Sequence, residues 1–216
     1  MGTDLNDDLF EIVIDASGRL KQILDVGADL FYRKGYEATS TKDIAEMSGL
    51  LKGSLYHYVK SKEEILFLVL SAVHGSILRM AEPVFASNES ADTRLAHLAR
   101  RHVEFNTRNS VWTGVFYQDF RSLTGPYRES VLGFRDQYEY RVRTLIIDGQ
   151  SEGCLRRDID PKLIAFFVLG AVNSIHRWYR PDLALTPSDI AERFADLVTA
   201  SVQRQPSCIP GGLRRS

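Results

Sequence analysis

At 216 residues the chain is long enough to bury roughly 70% of its unfolded surface in a core without disulfide or metal staples. Its 27 Lys+Arg nearly cancel 28 Asp+Glu, which excludes a protein that coats nucleic acid through bulk positive charge and leaves room only for a local basic patch. Cys154 and Cys208 are too few and too far apart for a disulfide framework, no apolar run approaches the eighteen or more residues of a membrane span, and the acidic start MGTDLNDDLFEIVID is unlike a signal peptide. These features fit a cytoplasmic protein with free thiols and no membrane partner.

Residues 1–15 read as a flexible N-terminal arm. From 16 to 34, Leu20, Ile23, Leu24, Gly27, Ala28 and Phe31 recur at helical spacing, with Arg19, Lys21, Asp25 and Asp29 elsewhere on the wheel. Gly35 ends this helix, and Lys34 complements its dipole. The next stretch, STKDIAEMSGLLKGSLYHYVKSK, packs two short helices around a glycine turn. Ser40 caps a helix over 41–48, with Asp43 reaching back to the cap. Gly49 takes the left-handed turn, and a second helix is predicted from Lys52 to Tyr58, with Leu55 packed on Ile44 and Ala45.

Between Ser48 and Lys62 there is no acidic residue, whereas Lys52, Lys60 and Lys62 are cationic and Tyr56 and His57 donate hydrogen bonds. Such groups suit phosphate oxygens. In a helix-turn-helix the first residues of the second helix reach base edges, which assigns Lys52, Gly53 and Ser54 to base contact. Thr39, Ser40, Lys42, Tyr56, His57, Lys60 and Lys62 are then the phosphate-contacting candidates. Turn and charge alone are equally compatible with a solvated helical hairpin.

The stretch GYEATSTKDIAEMSGLLKGSLYHYVKSKEEIL, with the preceding LFYRKG, resembles the N-terminal DNA-binding domain of the TetR/AcrR family of transcriptional regulators. Gly35, Ala38, Thr39, Ile44, Ala45, Gly49, Gly53, Leu55, Tyr56, Lys62 and Glu63 fall at the family's spacing. Leu51 departs from it, standing where Ser or Thr often caps the recognition helix. GVFYQDFRSL and HRWYRPD resemble a subgroup of actinobacterial regulators of lipid and steroid breakdown. The resemblance implies an all-α fold of about nine helices, a helix-turn-helix domain over 16–62, and a helical effector-binding and dimerisation domain over 63–204.

In that second domain, Ser61 and Glu64 form a capping box opening a long helix, apolar nearly all round at its start, that should stop before Pro83. The polar FASNESADT precedes a helix lined by Leu95, Leu98, Ala99, His102 and Val103. His97 and His102 are five apart, so they do not share a helical face as metal ligands, and His74 and His176 stand alone in sequence. No metal and no cofactor are expected. Trp112, Phe116, Tyr117 and Phe120 read first as core. The resemblance places a ligand cavity in this domain, with Trp112, Phe116, Tyr117, Phe120, Tyr138 and Arg177 as candidate lining.

Pro126 starts a helix whose Tyr127, Val131, Phe134, Tyr138, Val142, Leu145 and Gly149 form one inward seam; its arginines Arg128, Arg135, Arg141 and Arg143 read as an anionic ligand mouth or as a solvated face balanced by Glu129, Asp136 and Glu139. Asp160 and Pro161 open a helix that carries apolar residues as far as Trp178. Thr186, Pro187 and Asp189 open the last one, with Ile190, Phe194, Leu197 and Ser201 along one side. The resemblance assigns these two helices to a homodimer interface, with Phe167, Ala171, Ile175, Trp178, Phe194 and Leu197 as its candidates. Residues 205–216 read as a flexible tail.

Enzyme signatures such as GxSxG, HExxH or a dinucleotide loop do not occur in the sequence. The sequence therefore points to a ligand-responsive repressor that binds a palindromic double-stranded DNA operator as a homodimer and is released by a small, largely apolar effector, an acyl-CoA or a lipid or steroid catabolite. The competing reading is a helical adaptor that does not bind DNA, which leaves the loss of acids around Lys52 to Lys62 unexplained.

Overall fold

The apolar periodicities are realised as ten α-helices in a computed structural model that describes residues 18–204. The proposed N-terminal arm, the C-terminal tail and Cys208 lie outside the described residues. The helices are α1 Arg19–Lys34, α2 Thr41–Met47, α3 Lys52–Leu55, α4 Lys62–Phe85, α5 Ala91–Arg108, α6 Ser110–Asp119, α7 Gly125–Glu152, α8 Pro161–Asn173, α9 Ile175–Trp178 and α10 Pro187–Val202. A 3-10 turn at Phe120–Ser122 joins α6 to α7, and a β-bridge pairs Leu155 with Gln203. All other regular structure among the described residues is helical.

Helices α1 to α3 form the head. α1 buries Ile23, Leu24, Ala28, Leu30 and Phe31, and α3 packs on α2 with Leu55, Ile44 and Ala45 all buried. α4 is the axle: Ile65 through His74 are all buried, because α1, α5, α6 and α7 pack around it. By length and apolar composition alone α4 passes for a membrane span, but its apolar residues are used inside the fold. Two close approaches fix the head on the body. A Cβ on Gly27 would stand 2.7 Å from Ile65 of α4, and one on Gly114 of α6 would stand 2.5 Å from the Tyr32 ring of α1. Only a residue without a side chain lets these helices meet there.

Several boundaries differ from expectation. α3 is one turn long and ends at Leu55, with Tyr56, His57 and Tyr58 in tight turns whose amides bond back to Ser54 and Leu55. α4 continues through Pro83 to Phe85. The proline removes a single backbone bond near the end of the helix, while Val84 stays buried and Glu82 is held by Arg141 of α7. The helix expected to reach Trp178 breaks at Ser174, whose hydroxyl donates to Ala171 O at 2.7 Å, while His176 Nδ1 lies 2.6 Å from Asn173 O. Side chains here compete for the carbonyls that would continue the helix. In α10 the core stripe is Ile190, Ala191, Ala195, Val198 and Val202, packed chiefly on α5; the expected stripe through Leu197 and Ser201 faces outward.

Candidate DNA interface and effector cavity

The head is built by reciprocal capping. Ser40 Oγ accepts from Asp43 N at 3.1 Å and Asp43 Oδ2 accepts from Ser40 N at 3.0 Å, which fixes the start of α2 and holds the Asp43 carboxyl below its usual range. Gly49 has φ +66°, the left-handed turn that sends α3 across α2. At the start of α4, Ser61 Oγ accepts from Glu64 N at 3.0 Å, but the Glu64 carboxylate accepts from Lys60 N and not from Ser61. The second box is thus closed one residue further back and pins the turn that follows α3.

On the surface this produces, Lys52 and Gly53 are exposed and Ser54 is half-buried. Ser40, Lys42, Tyr56, His57 and Lys60 are exposed around them, with Lys42 in a loose pair with Glu46 at 3.6 Å and the Tyr56 hydroxyl 3.4 Å from Thr41 Oγ1. Two expected phosphate contacts are otherwise engaged. Thr39 is buried, and its hydroxyl donates to Gly35 O at 2.9 Å, so it holds the α1–α2 turn. Lys62 Nζ donates to Tyr36 O at 2.8 Å and lies 4.0 Å from the centre of the Tyr36 ring, so its charge clamps that same turn. Leu51, 81% exposed beside Lys52, offers no side-chain cap.

The body holds a cavity of about 820 Å³ between α4, α5, α6, α7 and α8. His74 and Ile77 line it from α4, His102 from α5, Phe116 and Tyr117 from α6, and Tyr138 from α7. Of the six sequence-predicted lining residues, Phe116, Tyr117 and Tyr138 meet there. Trp112 faces a separate groove of about 370 Å³ between α1 and α4, beside Lys21 and Asp25. Phe120 lies under the Arg135 guanidinium, 4.3 Å away, and Arg177 is exposed on α9, outside the lining. Arg135, Arg143 and Lys162 are the cations at the cavity, accompanied by Asp136 and Glu139. Of the α7 arginines, Arg143 pairs with Glu139 at 3.4 Å, as the solvated-face reading expects, Arg141 pairs with Glu82, and Arg135 lies over the Phe120 ring at the cavity edge.

The histidines, scattered in sequence, are what sequence reasoning missed. His102 Nδ1 is 3.2 Å from the Tyr138 hydroxyl and its Nε2 is 3.5 Å from that of Tyr117, which in turn donates to Asn173 Oδ1 at 2.6 Å. His176 stacks on Tyr117, and His74 stacks on Phe134 with ring centres 4.5 Å apart. Burial pushes His74 and His102 down to about 4 and raises the phenols of Tyr117 and Tyr138, so these four groups are uncharged at neutral pH. The one-dimensional signal was available only as seam position, since His102 and Tyr138 lie on the buried faces of α5 and α7.

Of the expected dimer residues, Ile175 is fully buried within the chain and Phe194 is half-buried under Trp178, ring centres 5.8 Å apart. Ala171 is half-buried. Phe167, Trp178 and Leu197 are exposed, joined by Leu163 and Phe166 on α8.

A helix-turn-helix head carried on a buried axle helix that also lines a ligand-sized cavity defines the class: a ligand-responsive DNA-binding regulator. Comparison with known proteins specifies it. A model of the N-terminal domain of the bacterial regulatory proteins of the tetR family matches residues 23–69, and one of the tetracyclin repressor-like C-terminal domain matches 88–202. The chain belongs to the TetR family of bacterial regulatory proteins. It is 27% identical over 183 residues to the HTH-type transcriptional repressor KstR2 of Rhodococcus jostii, spanning 84% of this chain and 90% of that one. The solved structure of the ketosteroid transcriptional regulator KstR2 of Mycobacterium tuberculosis superposes with a TM-score of 0.81 at 26% identity, over 88% of this chain and 97% of the other. AibR, solved in complex with isovaleryl coenzyme A and operator DNA, gives 0.76 at 27% identity, over 85% and 97%.

Proposed function

We propose that the protein is a homodimeric repressor whose head, residues 16–62, reads a palindromic operator through Lys52, Gly53 and Ser54, and whose body, 63–204, releases that operator when an apolar effector fills the cavity. Ser40, Lys42, Tyr56, His57 and Lys60 position the head on phosphates, while Thr39 and Lys62 hold the loop behind them. The outward faces of α8 and α10, with Phe167, Trp178 and Leu197, pair with their copies. The observation that carries the reading is that one rigid helix serves both ends: α4 begins at Lys62, clamped to Tyr36 of the head, and contributes His74 and Ile77 to the cavity. A ligand that shifts α4 at His74 moves the head it supports, which is the differential contact that coupling requires.

The effector class is an acyl-CoA or a lipid or steroid catabolite. Supporting it are a cavity of ligand size whose lining mixes apolar residues and aromatic rings with the cations Arg135 and Lys162, which suit phosphates, and the isovaleryl coenzyme A of the similar AibR. The test is release. With the duplex enriched from a random pool by the protein itself, acyl-CoA thioesters of graded acyl size should dissociate the complex, whereas coenzyme A alone should not. Equal release by coenzyme A and its thioesters would refute the apolar selectivity.

A further inference from the structure

Leu51 is the most exposed large apolar side chain among the described residues, at 81% against 64% for Leu197, the next. It stands at the N-cap of α3, where its extended backbone (φ −70°, ψ 147°) is fixed from both sides: the amide of Leu50 before it donates to Ala45 O at 2.8 Å, and its own carbonyl accepts from Ser54 N at 2.9 Å and Leu55 N at 3.2 Å. Leu50 packs against the core, and Leu51 is turned to solvent. Two costs meet at this residue: the cap that a hydroxyl would supply is forgone, and an isobutyl group is left in water. The buried residues of α2 and α3, Ile44, Ala45 and Leu55, form their packing without it. A local rule broken with no gain to the fold marks a surface put to use.

Resting on the operator reading of the head, we propose that Leu51 selects thymine, its side chain meeting the C5-methyl group in the major groove. The residue adjoins Lys52, which is exposed at the same end of α3 and assigned to base edges. A leucine side chain has neither donor nor acceptor, so it cannot replace the phosphate bond of a Ser or Thr at this position. Along the base edges of the major groove the methyl group belongs to thymine alone. Contact between that methyl and Leu51 takes both out of water. Adenine and guanine present N7 there and cytosine an amine, so facing Leu51 each would lose a water and gain no partner. In a symmetric complex the contact occurs once per half-site.

The test removes one methyl group and nothing else. In the duplex that the full-length protein selects from a random pool, each thymine is replaced in turn, together with its symmetry mate, by deoxyuridine, which keeps the base pair and lacks the C5-methyl. One position per half-site should be sensitive, with about a fourfold loss of affinity for each methyl removed and about fifteenfold for the pair. In Leu51→Ser that loss should vanish, with the response to deoxyuridine at every other position as in the wild type. Leu51→Met, which keeps an apolar side chain, should retain most of it. The ratio between thymine and deoxyuridine duplexes is the readout, because a hydroxyl at residue 51 would add a phosphate contact to every sequence alike. A selected site without thymine, a wild type indifferent to every methyl, or a sensitive position that stays equally sensitive in Leu51→Ser would overturn the assignment and leave the operator reading standing. A lower Tm in Leu51→Ser would overturn it too, since the side chain would then serve the fold. Failure of the wild type to select any duplex would overturn the operator reading itself.

Discussion

Gly53→Ala should move stability and DNA affinity in opposite directions. Gly53 lies inside the single turn of α3, its φ is not in the left-handed range, and a Cβ built on it meets no atom within 4 Å. Nothing in the fold therefore asks for glycine, and alanine should stabilise the chain by about 0.5–1 kcal/mol through helix propensity and a less flexible unfolded state. For a domain of this size that is a rise in Tm of about 1–4 °C. A glycine with no internal reason has an external one, the close approach of backbone to DNA between Lys52 and Ser54. A methyl group in that contact should weaken operator binding by about tenfold or more, some 1.4 kcal/mol. Thermal melts and binding to the selected operator, at one protein concentration and one salt, measure both. An unchanged affinity would refute the close approach, and a lowered Tm would refute the account of the open space.

Acid should destabilise the body through its buried histidines. Unfolded histidine takes a proton near 6.5 and His74 and His102 only near 4, so the unfolded chain binds protons first and stability is lost as pH falls from 6.5 to 4. By pH 5 each costs about 2 kcal/mol, so urea denaturation of His74→Phe should show a pH 7 to 5 decline shallower than wild type by that amount. Identical declines would contradict the burial argument. Leu51→Thr should supply the missing cap of α3 and raise stability by about 1 kcal/mol in thermal melts, with tighter operator binding from a new phosphate contact. Joint substitution Phe167→Glu and Leu197→Glu places like charges on the exposed faces of α8 and α10. Sedimentation should find a folded monomer with little operator affinity; a persistent dimer would move the interface elsewhere.

The head was readable because its structure is local. Ser40–Asp43 and Gly49 act over a few residues, as Thr186–Asp189 does at the start of α10 in the body, and a cap or a turn is written in the residues that make it. The α7 seam was equally plain, since a 3.6-residue period needs no partner to be seen: Val131, Phe134, Tyr138, Val142, Leu145 and Gly149 are all buried, and Tyr127, at the helix start, is half-buried on Phe67. What the sequence hid was long-range. Thr39 and Lys62 have the chemistry of phosphate contacts, but their bonds to Gly35 and Tyr36 are decided by how the loop folds back. His74 and His102 come together only because α4 and α5 cross beside α7, and Trp112 and Phe116, one helical turn apart, face different clefts. Competition by Ser174 and His176 for backbone carbonyls broke a helix that apolar pattern alone would have continued.

The central claim is that the surface built by the acid-free stretch from Ser48 to Lys62 reads DNA. It is tested most directly by selecting duplexes from a random pool with the purified protein at two salt concentrations, beside a Lys52→Ala, Tyr56→Ala variant. The account predicts enrichment of a two-fold symmetric site, with half-sites about one helical turn or a small multiple apart, weakened by salt and lost in the variant. Binding that is salt-sensitive but without a preferred site, or a site retained in full by the variant, would contradict it.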